Sequence, residues 1–293
     1  MIDALYRLIV RKKFRRWALP ADAEERIRRA LFICLSDERP LNFVFEFGGY
    51  KLWRLPSAPY PDLAERFMLR HYADYLRPVA ELYPPGVHMY FASDDVVVER
   101  MNNIRADAME KYAAGFCALL EETRSERPEN MLFSYVRLGE LYESRGELET
   151  ELARTYAVNR VRFDTWSPEK KERMLKRAAL NFCISGPLAA ADLSGISEAD
   201  YQERLIRGAV FHDAFEDCRK RRAFVLGEDR ILLFCTPIPE AVAIGTTRAS
   251  VTKFWTGVGI REDGLEKVLP PSQWEKREHE KSDCRADKAS ETL

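Results

Sequence analysis

Two cations, Lys51 and Arg54, follow a glycine pair directly after a β-rich stretch of the chain. Residues 41–47 read LNFVFEF, which predicts a strand, and Gly48-Gly49 predicts a turn after it. Ligands of α/β proteins gather beyond the carboxyl ends of strands, so Lys51 and Arg54 are candidates for holding an anion there. A plain surface turn with solvated cations explains the same pattern, and both interpretations stay open.

A second polar group, Ser93-Asp94-Asp95, follows a predicted strand at 87–92. Adjacent carboxylates at a strand end could hold a substrate amine, orient a hydroxyl or act as a general base. They could equally cap the helix that follows. We take Asp94 as a catalytic candidate and Asp95 as a substrate-binding one. Chelation would need further oxygen ligands that the sequence does not reveal, so we predict no metal site.

Glycine, hydroxyl groups and cations converge after the last predicted strand of the sheet. The candidates for binding an anion in this segment are Thr246, Thr247, Arg248, Ser250 and Lys253, directly after Gly245. If a helix begins near Thr247, its free amides and positive dipole end form an anion site, which Arg248 could clamp. We favour this interpretation over a hydroxyl-capped helix start with exposed cations.

His212 is the best candidate for proton transfer among the four histidines. It lies in a predicted helix at 197–222. A lone histidine on a helix is more often structural than catalytic, so that alternative also stays open.

The composition argues against several classes of protein. The 46 basic and 47 acidic residues give a net charge of −1, without the basic excess typical of nucleic-acid binding. No apolar run approaches the roughly 18 to 20 residues that a transmembrane helix needs. The six cysteines include no C-x-x-C pair, so we expect reduced thiols in the cytoplasm rather than a zinc site or disulfides.

Helix and strand patterns alternate along the chain, which predicts a single α/β domain over residues 1–270. Further strands are predicted at 131–136, 230–235 and 241–244, with a hairpin as one way of pairing the last two. We expect a Rossmann-like mixed sheet flanked by helices, with a helical insertion at about 137–225.

The two ends of the chain carry many charges. Residues 1–17 combine an apolar helical face with basic residues, and we favour a helix packed on the core over one attached to a membrane surface. Residues 271–293 are charged and nearly free of large apolar side chains, which predicts a disordered tail.

The order of these segments resembles the isocyanide (isonitrile) synthase family, which includes enzymes of pyoverdine-cluster and spore-wall dityrosine biosynthesis. The resemblance covers residues 30–125 and, more loosely, 160–260. It rests on the strand leading to Lys51, on Pro61-Asp62-Leu63-Ala64-Glu65-Arg66, on Tyr83-Pro84-Pro85-Gly86, on Ser93-Asp94-Asp95 and on the helix that contains Tyr112.

Members of that family have a Rossmann-like core without a bound nucleotide. They convert the amino group of an aromatic amino acid into an isonitrile without a metal, and take the carbon from ribulose 5-phosphate. The resemblance therefore implies an active-site loop with Lys51, a role for Asp94 and a phosphosugar as the anion, and it implies no cofactor. The alternative is a non-catalytic protein of the same fold that binds a small anion or serves as a scaffold.

Together these patterns predict that stretches 48–54, 93–95 and 245–253 converge on one pocket for a small anion. We expect an amino acid and an anionic metabolite as partners, and no nucleic acid. Association into a homo-oligomer stays open.

Overall fold

The computed structural model describes residues 1–15, 17–141, 145–220, 227–245 and 249–279. The α-helices are α1 Ile2–Ile9, α2 Ala21–Ser36, α3 Leu63–Leu82, α4 Asp95–Asn102, α5 Ala106–Glu122, α6 Arg145–Arg162, α7 Pro168–Asn181 and α8 Glu198–Lys220. The strands are β1 Leu41–Phe47, β2 Val87–Ser93, β3 Met131–Arg137, β4 Arg230–Phe234, β5 Ala241–Ala243, β6 Val258–Glu262 and β7 Leu265–Leu269. Short 3₁₀ segments lie at Lys12–Phe14, Arg124–Glu126, Leu138–Leu141, Phe163–Thr165 and Ala249–Thr256.

Strands β1 to β5 form one sheet with the spatial order β3-β2-β1-β4-β5. This is the order of strands in a Rossmann-type sheet, so the predicted Rossmann-like α/β fold is confirmed. The expectation of a mixed sheet is corrected, because every pairing in this sheet is parallel. Strands β6 and β7 form a separate antiparallel pair.

The hairpin suggested for residues 230–235 and 241–244 is wrong, since β4 and β5 pair in parallel. Leu232 lies opposite Ala241, and Phe234 lies opposite Ala243. Between Phe234 and Ala241 the chain therefore moves back along the sheet by two residues, about 7 Å. The short connection at 235–240 spans that distance without a crossover helix.

Both faces of the central strand β1 are covered. Phe43, Phe45 and Phe47 belong to the main core, where Phe45 packs on Tyr72 of α3 with ring centroids 5.2 Å apart. Val44 points to the opposite face and joins a second core that includes residues of α6 and α8. A strand buried on both faces needs a nearly continuous apolar sequence, which is why residues 41–47 predict it so clearly.

The described residues between β3 and β4 are mainly helical. Helix α6 packs along α8, where Nδ2 of Asn159 donates to Asp213 at 3.1 Å and to Asp217 at 3.0 Å. The helical character predicted for 137–225 is therefore observed, while residues 142–144 and 221–226 lie outside the described part of the chain.

The two ends of the chain differ in how well their predictions hold. Leu5 and Ile9 of α1 are fully buried in the main core, so the favoured packed helix is observed. None of the described helices is long and apolar enough to cross a membrane. The predicted disorder does not begin at residue 271, because residues 271–279 are helical and Trp274 packs on the rest of the protein. Residues 280–293 lie outside the described residues.

The β6–β7 hairpin was not predicted, although its Asp263-Gly264 turn is a recognised hairpin signal. The hairpin lies against the start of α3. There the amide of Gly259 donates to Oδ1 of Asp62 at 3.3 Å. A Cβ atom at Gly259 would lie 2.1 Å from the amide nitrogen of Ala64. Only glycine allows this approach of strand to helix.

We expect Gly259→Ala to lower the free energy of unfolding by about 2 kcal/mol, because the added methyl group meets backbone that cannot rotate away. Urea denaturation of the variant and the wild type measures this loss. Gly195→Ala is the matched control, since a Cβ at Gly195 meets no atom within 4 Å. Equal stability of the two variants would contradict this account of the hairpin contact.

Candidate active site

The carboxyl edge of the sheet brings the predicted stretches into contact. The amide of Asp94, just after β2, donates to the carbonyl of Phe47 at the end of β1, at 2.9 Å. The amide of Leu52 donates to the carbonyl of Trp255 at the same distance. The stretch 48–54 therefore contacts the 3₁₀ segment Ala249–Thr256, and it meets 93–95 where Gly49 lies against Ser93.

Lys51 lies beneath this edge, and its side chain has no exposed surface. Its Nζ atom is 2.8 Å from Oε2 of Glu65 and 3.1 Å from Oδ1 of Asp62. It also donates to the carbonyl of Phe254 at 3.2 Å. The cation that was predicted to face a ligand is therefore enclosed by two carboxylates and a backbone carbonyl.

Glu65 is the fully buried anion at the centre of this group. It accepts the hydroxyl of Tyr112 at 3.0 Å and the amide of Asp62 at 2.8 Å, the second bond being part of the capping box that begins α3. Burial raises the pKa of Glu65 to about 7, although the charge of Lys51 opposes the rise. We call Lys51, Asp62, Glu65 and Tyr112 the buried lysine cluster.

Asp94 lies above the sheet at the N-cap position of α4, where its side chain makes no capping hydrogen bond. The neighbouring ring of Tyr50 is almost fully buried. Burial, and then the charge of Asp94, raise the pKa of Tyr50, while a hydrogen bond from Asn102 opposes the rise. Asp94, Tyr50 and Asn102 therefore form a polar group between the 48–54 turn and α4.

Two buried polar atoms in this region lack hydrogen-bond partners among the described residues. They are Oγ of Ser93, next to the group, and Oδ1 of Asn102, within it. Ser93 lies directly under Gly49, where a Cβ atom would come within 2.4 Å of the Cβ of Ser93. Buried polar atoms are nearly always paired, so these two atoms, at the ends of β2 and α4, are suited to the polar groups of a ligand.

A pocket of about 270 Å³ opens at the carboxyl ends of β4 and β5. Thr236, Thr252 and Thr256 contribute hydroxyl-bearing side chains to its lining, and Lys253 contributes an ammonium group. Lys253 is exposed and has no carboxylate within ion-pair distance among the described residues. The hydroxyl of Thr256 already donates to the carbonyl of Lys253 at 3.0 Å. The pocket therefore offers an anion mainly the exposed cation Lys253, in a lining that also contains threonine side chains.

Among the described residues, Lys253 is the one predicted candidate that lines this pocket, and no residue of 48–54 or 93–95 does. Nε of Arg54 lies 4.0 Å from Glu275, at the limit of an ion pair. His212 is partly buried in the middle of α8. This helix packs against α4, the helix that begins directly after Asp94. Asp95 begins α4, and Ser250 lies in the 249–256 segment. Thr246, Thr247 and Arg248 are outside the described residues.

Two parts of the site have no local signal in the sequence. The resemblance to the family is what brings in Glu65 and Tyr112, because nothing in the chain signals that Lys51 pairs with a carboxylate in the first turn of α3. Trp17 was noted only as part of the basic N-terminus, yet it lines the pocket. Among the described residues, no group of three or more His, Cys, Asp or Glu side chains is arranged to hold a metal ion.

Comparisons with known proteins agree with this architecture. No curated protein sequence matches the chain. The crystal structure of the PvcA protein from Pseudomonas aeruginosa is similar over 93% of each chain, with a TM-score of 0.60 and 15% sequence identity, a level at which the likeness concerns the fold. Residues 57–180 match the family model described as "Pyoverdine/dityrosine biosynthesis protein". This match covers less than half of the chain, and it is to the same family that the sequence resembles.

Proposed function

We propose that the protein is a biosynthetic enzyme of the isonitrile-synthase type. It acts on the amino group of an amino acid and takes a carbon from a pentose phosphate. The pocket at the ends of β4 and β5 is the observation that carries this proposal, because the exposed cation Lys253 in its lining suits a small anion. The family match over residues 57–180 supports the reaction class.

The first chemical step in this proposal is the formation of an imine. Asp94 accepts a proton from the substrate ammonium group, and the nitrogen lone pair then attacks the carbonyl carbon of the pentose phosphate. The carbon–oxygen bond breaks with loss of one water, so this step needs no oxidant or reductant. Lys253 holds the anionic group, and His212 on the neighbouring helix is the candidate for moving the second proton.

Lys51 receives a different role from the one that the family resemblance implies. Its ammonium group is enclosed by Asp62 and Glu65, its side chain has no exposed surface, and it donates to the carbonyl of Phe254 in the 249–256 segment. Through the carbonyl of Phe254 it holds the segment that carries Thr252 and Lys253. We therefore propose that Lys51 positions the pocket wall and does not touch the substrate.

Incubation of the purified protein with L-tyrosine or L-tryptophan and ribulose 5-phosphate tests the proposal. Mass spectrometry should detect an isonitrile that incorporates carbon from ¹³C-labelled pentose phosphate. A protein that binds these compounds without forming product would favour the non-catalytic alternative. Binding at about 100 times the dissociation constant stabilises the fold by about 2.7 kcal/mol, which a melting curve detects.

Lys253→Ala should weaken the binding of ribulose 5-phosphate by a factor of about 10 to 100, since a charge-assisted hydrogen bond contributes roughly 1.5–3 kcal/mol. Isothermal titration calorimetry measures the change. Lys176→Ala is the control, because Lys176 is an exposed lysine of α7 paired with Glu172. Unchanged affinity in Lys253→Ala would remove this lysine from the site.

A further inference from the structure

The N-terminal segment covers the edge of the sheet at β5 and supplies one wall of the pocket. The amide of Gly245 donates to the carbonyl of Phe14 at 2.9 Å, and Arg15 forms an antiparallel bridge with Ile244. The guanidinium of Arg15 donates to the carbonyl of Trp17 at 3.2 Å. These bonds hold residues 14–17 against the end of β5. They bring the indole ring of Trp17 into the pocket lining.

Because Gly245 has no side chain, a gap remains between the indole ring of Trp17 and the side chain of Thr252. A Cβ atom at Gly245 would lie 3.8 Å from Cζ3 of Trp17 and 3.9 Å from Oγ1 of Thr252. Both distances are ordinary van der Waals contacts, so a methyl group fits there. The γ-methyl groups of a larger side chain would enter the space between the two walls.

The lining of the pocket has two chemical parts. Lys253 and the threonine side chains are its polar part, and Trp17, Val268 and Pro270 are its apolar part. An indole face binds a flat or apolar surface by stacking, and an ammonium group binds a carboxylate or phosphate. A ligand that satisfies both parts carries an anionic group and an apolar face.

We propose that Trp17 and Gly245 are specificity-determining residues, which select a small organic anion whose apolar face stacks on the Trp17 indole. The inference rests on the proposed function in placing a substrate in this pocket. It goes further by assigning the N-terminal segment a part in recognition. The anion can belong to an aromatic amino acid or to a sugar phosphate, and the choice of probes separates these sources.

Calorimetric titration of the full-length protein with L-phenylalanine, ribulose 5-phosphate and inorganic phosphate tests this inference. Trp17→Ala should weaken the tighter-binding organic probe about tenfold, the equivalent of one aromatic contact, and Trp17→Phe should restore most of the affinity. Inorganic phosphate has no apolar face, so its affinity should not change. Trp166→Ala, which removes an indole from the region before α7, controls for loss of a tryptophan elsewhere.

Substitutions at Gly245 give an independent measurement on the same pocket. Gly245→Ala should bind the organic probe as the wild type does, while Gly245→Val should lose binding because its side chain fills the gap. The inference would be overturned if Trp17→Ala lost affinity for the organic anion and for inorganic phosphate equally. Wild-type affinity of Gly245→Val for the organic probe, or failure of both organic probes to bind, would also overturn it. Binding that follows the expected pattern without any turnover would instead contradict the proposed function and leave the inference standing.

Discussion

Lys51→Met should lower the free energy of unfolding by about 3–5 kcal/mol at pH 8, the usual result of removing one partner from a buried ion pair. Methionine is close to lysine in length and fills the same space. It leaves the carboxylates of Asp62 and Glu65 facing each other without the ammonium group that lies 2.8–3.1 Å from them. Urea denaturation at pH 8 measures the loss.

An exposed ion pair of similar length is the control for this variant. Nζ of Lys176 lies 2.7 Å from Glu172, but both side chains are largely exposed. Lys176→Met should therefore cost less than about 1 kcal/mol. The double variant Lys51→Met/Glu65→Gln should lose less stability than the sum of its single substitutions, because the second change removes the stranded charge. A loss in Lys51→Met no greater than in Lys176→Met would show that the cluster does not stabilise the fold.

Parts of the fold with a local sequence pattern were predicted well. Residues 41–47 are mostly apolar because β1 is buried on both faces. Pro61-Asp62 predicts a helix start because the side chain of Asp62 caps α3 by accepting the amide of Ala64. Each pattern reports an interaction between residues close together in the chain. The same reasoning failed for β4 and β5, because the direction of a short edge strand depends on its partner and not on its own residues.

The site was predicted less completely, because burial decides what each charged group can do. In the sequence, Lys51 after two glycines has the pattern of an exposed cation in a turn. In the fold, the 249–256 segment covers it and α3 supplies its counter-ions from 11 and 14 positions further along the chain. No local pattern carries that information. Among the described residues, Lys253 of the same 249–256 segment is the cation that lines the pocket.

The position of Trp17 could not be predicted from local sequence either, because it depends on residues far away in the chain. Its sequence neighbours are basic and apolar, so the pattern predicts an amphipathic helix packed on the core and gives Trp17 no role in a site. Its position in the pocket depends on the pairing of residues 14 and 15 with the end of β5, more than 200 residues away in the chain. Contacts of such separation cannot be derived from periodicity, which reports only on one element at a time.

The stability of the wild type should fall as the pH rises from about 5 to about 7.5, through the titration of Glu65. In the folded protein, burial raises the pKa of Glu65 to about 7, whereas the unfolded chain titrates near the ordinary value of about 4.3. Between these values the folded state binds a proton that the unfolded chain has released. Raising the pH therefore favours unfolding, with a slope of at most about 1.4 kcal/mol per pH unit for one group.

Glu65→Gln removes this titration but keeps a side chain that can accept the amide of Asp62 and the hydroxyl of Tyr112. The difference in unfolding free energy between wild type and Glu65→Gln should therefore change steadily from pH 5 to pH 7.5, and become constant above it. The cost of Lys51→Met should grow over the same interval, because protonated Glu65 needs no counter-ion while ionised Glu65 does. A pH-independent difference between wild type and Glu65→Gln would mean that Glu65 stays ionised in the fold, held by Lys51, and that charge pairing outweighs burial in this cluster.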